Sequence, residues 1–552
     1  MVASKEDAKN DESNLKHNAK IGASKDGEAS AEAMLSAYAV QLALTEMANL
    51  QGNLFIFPSA FWHWLVWPLL CLVLVVPSNR WVLAVALIVR RAMTLAEAPF
   101  VWDACVWMLQ TDLMLLVGLL ELDPVACGFW KFNTSFLDPR ASCASVLTVQ
   151  LIAAYAPSTP LAATKILSDA SPLLVAAGET VMGLLLLVKN RFWQKIGVFL
   201  ALLLHLGIAF SPFPNQVAVY SVVCLCRLFN VVPATWTLAQ NELLSLPKTK
   251  AGAAGRACAY ALVASSALLN TNPVVKIDWA QPYYVWQCIV CLRAFYLDRD
   301  RRLLTTRPIV IKGNKSLVVG WSLIGLAAFY AFGENVLGLV DVSAAAPYTQ
   351  IRMHAGSNHL VLPTALLQRD GHFFRGGVVR IESSTSTYLN DLYPSETTSL
   401  IAPEARDLLH RVGHVGREFS PTVYRMIGPI NRRSMPRNGD PFVKYTIPNF
   451  ELRRVVDELA TFETQPFKLT YSRLVGEGDE VWRKHHVNRT FLLQRDARGR
   501  TTCTQIFPGR RSRCSDDELA LLEKPNYIAR KSMMFFAYPA DDSFGDVLPC
   551  MD

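Results

Sequence analysis

Apolar runs broken by short polar connections occupy the chain at about 59–76, 101–121, 144–164, 172–188, 193–211, 215–232, 257–270, 284–297 and 316–335. Runs of this kind predict helices close to the roughly 20 residues that a bilayer span requires. The pattern therefore predicts a polytopic α-helical membrane bundle of about nine spans over residues 59–340. The piece WVLAVALIV, from Trp81 to Val89, either continues the first run or forms a short one of its own. Upstream, AEAMLSAYAVQLALTEMANL places Leu35, Tyr38, Leu42 and Met47 on one side of an amphipathic helix, within an amphipathic helix and linker at 31–58. Residues 1–30 mix Lys, Asp and Glu with Ser and Gly, lack the apolar core of a signal peptide, and read as a disordered tail. Beyond residue 340 the period changes. Runs such as GGVVRIESST, PFVKYTIPNF, PFKLTYSRLV and RTFLLQR predict strands, and residues 341–552 read as a soluble, mainly β or α+β domain.

Composition supports the membrane class, with 51% hydrophobic residues and a mean hydropathy of +0.23 over 552 residues. The net charge of +8 lies beside apolar runs and in the C-terminal third, not in a Lys/Arg tail, so no nucleic-acid partner is expected. Basic loops alternate with neutral ones. Lys189/Arg191/Lys195, Lys248/Lys250/Arg256 and the Arg299–Lys315 segment are basic, whereas SPFPN and NTNPVVKID are nearly free of Lys and Arg. By the positive-inside rule the basic loops are cytosolic and the C-terminal domain is lumenal or extracellular, in the endoplasmic reticulum or the plasma membrane. There Asn488-Arg-Thr490 is a possible glycosylation site, and Cys503 and Cys514 can pair. Nine of the twelve cysteines precede residue 300 and read as small hydrophobes in apolar segments.

No phosphate-binding GxxxxGK[ST], nucleophile GxSxG or zinc-binding HExxH is present, so ATP hydrolysis and zinc proteolysis have no support. Candidate chemistry then falls to ionisable groups within apolar runs, which are costly there. Glu179 lies about 12 residues before the basic turn at Arg191 and His205 about 14 after it, so in a helical hairpin both sit about 20 Å from the turn. They are expected to pair, as a catalytic or proton-handling couple or as a structural clasp between helices. Asp112 lies deep in PFVWDACVWMLQTDLMLL, with Asp103 nearer its end. Lys165 is either a desolvated base or a lysine snorkelling from a helix end, and Arg227 shares that ambiguity. Cys288 and Cys291 share a helix face, for thiol redox or, more simply, for packing. In RMHAGSNHLVLP, His354, Asn358 and His359 are candidates for acid, amide and base near the membrane mouth, or a polar turn leading into a strand.

The order PFVWDACVWMLQTDLMLL, LTVQLIAAY, GETVMGLLLLVKNRFWQKIGVFLALLLHLGIAF and, after the last run, RMHAGSNHLVLP resembles the HTTM domain, the membrane bundle shared with vitamin K-dependent gamma-carboxylases. The resemblance covers roughly residues 60 to 335. It implies a helical membrane bundle followed by a lumenal, largely β domain, with action on a quinone such as vitamin K, a lipid-like substrate or a lumenal peptide. Family members commonly carry a Lys followed closely by a Trp after the fourth motif's Tyr. Here Tyr155 and Lys165 are followed by ILSDASP, so the resemblance does not place the carboxylase's lysine on this chain. Two other expectations stand beside the enzyme: a transporter or proton-handling protein that uses Glu179, His205 and Asp112 as a relay, and a membrane scaffold with a lumenal partner-binding domain.

Overall fold

Prolines and caps, more than the apolar runs themselves, set the helix boundaries. The computed structural model describes residues 60–76, 79, 81–89, 122–188, 190–212, 280–300, 328–336, 359–362, 377–386, 401–414, 444–474, 487–524 and 538–539, with single gaps, and scattered residues between 221 and 239 and between 321 and 326. Helix α1 (Ala60–Val75) is 16 residues long and contains Pro68. WVLAVALIV is a separate piece, because the Asn79 side chain accepts hydrogen bonds from the backbone of Trp81 and Val82 and starts a new helix. Helix α2 (Leu122–Trp130) leads through a turn to α3 (Cys143–Tyr155), whose N-terminus is capped by Ser142. Pro157 and Pro160 end α3 and start α4 (Leu161–Leu187), a 27-residue helix that absorbs the separate run expected at 172–188. Asn190 caps α5 (Arg191–Ala209), and α6 spans Ala280–Asp300.

Pro172 lies inside α4 without ending it. A proline there removes the hydrogen bond normally donated to the carbonyl four residues back. That carbonyl, Ser168 O, instead accepts from Ser145 Oγ of α3 and from Ser171 Oγ, each at 2.9 Å. Pro172 also divides α4 in character. Lys165, Ser168 and Asp169 precede it, while PLLVAAGETVMGLLLL is apolar apart from Glu179 and Thr180.

Among the described residues two helices are long and apolar enough to cross a membrane, α4 and α5. This overturns the expected bundle of about nine spans. The run at 144–164 is a 13-residue helix followed by a proline-rich turn, α1 is too short, and α6 closes in the charged sequence LDRD. The runs at 101–121 and 257–270, with Asp103 and Asp112, lie outside the described residues, as do residues 1–58. Helices α1, α4, α5 and α6 share one core through Leu70, Val73, Met182, Leu186, Val198, Leu202, Tyr284 and Cys291.

The C-terminal part is an antiparallel sheet of seven strands: β1 (Val378–Ser384), β2 (Tyr445–Pro448), β3 (Phe467–Leu474), β4 (Val487–Arg495), β5 (Thr501–Phe507), β6 (Arg510–Arg513) and β7 (Tyr538–Pro539). Their order is β6-β5-β4-β3-β1-β2-β7, and the four strand-like runs supply β1 to β4. Alternate residues Val379, Ile381, Ile447, Leu469, Tyr471, Phe491 and Leu493 share a core with Leu452, Val455 and Leu459 of α8 (Asn449–Phe462). Helix α7 (Pro403–Arg411) packs away from that core, placing Ala405 and Leu409 with Ile401 and Val412 against Cys143, Val146 and Val149 of α3. The short helix α9 (Asp516–Ala520) follows β6. Cys503 and Cys514 form a disulfide, and Cys143 is also disulfide-bonded, so that cysteine is not the free hydrophobe expected of it.

Candidate functional site

The close approach of α2 to α4 begins at a glycine. A β-carbon on Gly128 would lie 2.4 Å from the backbone nitrogen of Thr180 and 2.3 Å from its Oγ1. Only a residue without a side chain lets the two backbones come this near. Three residues later Lys131 leaves the end of α2, and its Nζ meets Glu179 Oε2 of α4 at 2.6 Å. The side chains are 4% and 10% exposed, and Lys131 is the only buried lysine among the described residues. Its ammonium also lies 5.6 Å from the centroid of the Phe136 ring, whose negative face favours a cation.

The turn after Lys131 is held by Asn133. Its amide nitrogen donates to Trp130 O, and its Oδ1 accepts from the backbone of Ser135 and Phe136. Asn133 forms a β-bridge with His359, and Leu360 N donates to Phe132 O at 2.8 Å. The His359 ring lies 4.3 Å from Phe129 and 5.4 Å from Trp130, centroid to centroid. Its Nε2 bonds Phe129 O at 2.7 Å, while Nδ1 accepts from the backbone N–H groups of Val361 and Leu362. Those contacts fix a neutral ring with the proton on Nε2, since a proton on Nδ1 would meet two donors. Burial lowers the proton affinity of His359 below the ordinary histidine value, against the raising effect of the bond to Phe129 O. The indole of Trp130 is fully buried and donates to Ala331 O, within a π-helical turn (Phe329–Gly333) that Glu334–Val336 continues as α-helix.

The structure distributes the expected site residues as follows. Glu179 is buried as expected, but its partner is Lys131 and not His205. Glu179 faces α2 at the close approach near Gly128, whereas His205 is half-buried on α5. Lys165 is not desolvated: its side chain is 55% exposed, with Nζ 3.1 Å from Asp169 and 3.2 Å from Val412 O, just past α7. His359 acts as a latch between the α2 turn and the chain leading to the sheet. His354 and Asn358 lie outside the described residues, as do Asp112 and Arg227. Cys288 and Cys291 are free thiols packed in the helical core. Lys131 was not anticipated from the sequence. Its signal is a lysine enclosed by aromatics, GFWKFN, directly after an apolar segment.

Residues 357–531 match a family described as a domain of unknown function, DUF8388. The match begins two residues before His359 and contains β1 to β6, α7 to α9 and the Cys503–Cys514 disulfide. No curated protein and no solved structure matches the chain.

Proposed function

We propose that this is an integral membrane protein in which α4 and α5 cross the bilayer as a hairpin, and that the Lys131–Glu179 pair is its reacting centre. The membrane reading is supported by where the apolar surface lies. Only 39% and 28% of the apolar windows of α4 and α5 are buried within the protein. Leu173, Leu174, Val181, Leu184, Phe199 and Leu203 are exposed, which in water would be an uncovered apolar face. At the hairpin turn Phe192 and Trp193 are exposed beside Arg191 and Lys195, the aromatic and basic mixture of a membrane interface. This turn faces the cytosol. The disulfides at Cys143 and Cys503–Cys514 then belong to the lumenal or extracellular side, where thiols oxidise.

The observation that carries the functional reading is the single 2.6 Å contact between Lys131 and Glu179, on the inner side of an otherwise apolar half-helix. Glu179 Oε2 holds the ammonium, and among the described residues Oε1 accepts no hydrogen bond. A carboxylate left with an open oxygen beside a buried amine can exchange a proton with a molecule that enters between α2 and α4. The apolar and aromatic surroundings suit a lipid-like or quinone substrate, and the adjoining sheet suits capture of a lumenal peptide, the substrate classes that the HTTM resemblance implies. A direct Glu179–His205 pair is not part of this centre, because the hydrogen-bond partner of Glu179 is Lys131.

Native mass spectrometry of the full chain in mild detergent tests this reading. Wild-type protein is expected to retain a small apolar molecule that Lys131→Met loses at equal protein recovery. Retention of the same molecule by Lys131→Met would remove the pair from the site.

A further inference from the structure

We propose that the face of the sheet turned away from α8 carries a carboxylate-binding site built on Arg380, Lys444 and Thr446. It is independent of the Lys131–Glu179 centre. Strand register defines it: Thr446 of β2 pairs with Arg380 of β1, Arg380 with Ser472 of β3, and Ser472 with Thr490 of β4. Side chains alternate across a strand, and the intervening residues Val379, Ile381, Ile447, Tyr471 and Phe491 fill the core on the α8 side. The row Thr446, Arg380, Ser472, Thr490 therefore lines the opposite face, and a 3.0 Å bond between Ser472 Oγ and Thr490 Oγ1 runs along it.

This face is polar where a packed sheet would be apolar. Thr446 is fully buried, yet its Oγ1 has no hydrogen-bond partner. A buried hydroxyl in that state costs free energy unless something fills its bonding position. Beside it the Arg380 side chain is 13% exposed and uses Nε alone, donating to Glu382 Oε1 at 2.8 Å. Among the described residues both of its Nη groups are without partners. Lys444 Nζ lies 3.3 Å from Glu382 Oε2, with its own side chain 51% exposed, so the row closes at Thr446 and opens at Lys444. Burial works to raise the Glu382 carboxyl, but hydrogen bonds from Arg380 and Ser472 and the charges of Arg380 and Lys444 outweigh it and hold the group below the usual glutamate range.

The charge count identifies the ligand class. Among the described residues Arg380 and Lys444 against an ionised Glu382 leave one unmatched positive charge, which one carboxylate neutralises. A phosphate carrying about −1.5 to −2 would overcharge the site. The planar Nη pair of an arginine also matches the two oxygens of a carboxylate, and Thr446 Oγ1 can donate a third bond. The carboxylate comes either from a small organic acid or from an acidic side chain of a peptide.

Trifluoroacetate, followed by fluorine NMR line broadening, and a fluorescein-labelled Gly-Glu-Gly amide, compared with Gly-Gln-Gly amide, are the probes for the full chain in detergent at constant ionic strength. Wild-type protein is expected to bind at least one of them. Trifluoroacetate binding points to a free acid, and preference for the Glu peptide alone points to a chain-borne one. Arg380→Gln is expected to weaken binding by about tenfold or more, and Thr446→Val by several-fold. Thr446→Val removes only an unpartnered hydroxyl, so its melting temperature should equal or exceed that of the wild type, which separates lost binding from lost folding. Failure of both probes to bind, or binding that survives both substitutions, would overturn the site.

Discussion

The sheet and the helical part both bury charge, but they treat it differently. In the sheet, Glu518 of α9 accepts from Tyr471 Oη at 2.8 Å and from Arg473 Nε and Nη2 at 2.7 Å each, while Arg473 Nη1 donates to Asn449. Buried Arg454 likewise grips both oxygens of Glu451 within α8. These buried charges of α8, α9 and β3 are each held by several bonds, and Arg473 and Glu518 fasten α8 and α9 onto the strands. Between α2 and α4, Lys131 and Glu179 meet through one carboxylate oxygen, and among the described residues the other oxygen accepts no hydrogen bond. A fully bonded buried ion is what a scaffold needs, and a partly bonded one suits a group that changes partner or protonation state.

The comparison breaks most visibly if the charges of the helical pair are removed one at a time. Lys131→Met leaves Glu179 buried without its counter-charge, and a loss of about 3–5 kcal/mol is expected, measured by chemical or thermal unfolding in detergent. In the sheet, Glu518→Leu strands Tyr471 and Arg473 together, for a loss of about 3 kcal/mol. There the partner change Arg473→Leu should not restore stability, because Tyr471 Oη still lacks the carboxylate that accepts its hydrogen bond. A full rescue would show that the network is as simple as the helical pair.

Smaller effects sharpen the contrast. Gly128→Ala forces α2 away from Thr180 and is expected to cost about 1–3 kcal/mol while weakening the Lys131–Glu179 contact, so that its effect and that of Lys131→Met fall short of adding. The smallest effect concerns His359. Its proton affinity is lowered in the folded protein, so the stability it contributes is complete above about pH 6.5, its ordinary value, and is lost as pH falls through the folded value. His359→Gln should flatten the dependence of melting temperature on pH between 8 and 5. An unchanged slope would assign the acid sensitivity to another group.

Much of the local structure was legible in the residues. The α4–α5 hairpin with its basic turn followed from two apolar runs flanking KNRFWQK, and β1 to β4 from alternation of side chains. The span count was not legible, because an apolar run looks the same whether it meets lipid or a neighbouring helix, and proline positions decided where helices ended. The burial of Glu179 could be foreseen, but not its partner. Distance from a turn sets depth along a helix, whereas facing depends on rotation of 100° per residue, and the approach at Gly128 turns Glu179 towards α2. Lys131 was hidden because it lies just after a helix end, where a lysine ordinarily reaches water.

The central claim, that the Lys131–Glu179 pair reacts instead of merely fastening α2 to α4, is tested most directly by the double variant Lys131→Met/Glu179→Leu. Its melting temperature and its retained small molecules are measured together, by thermal unfolding and native mass spectrometry of the same preparation. A well-packed apolar pair should recover most of the stability lost in either single variant. A reacting pair gives that recovery together with loss of the molecule that wild-type protein retains. A double variant as stable as the wild type and still carrying that molecule would contradict it, and would leave the pair as a structural clasp.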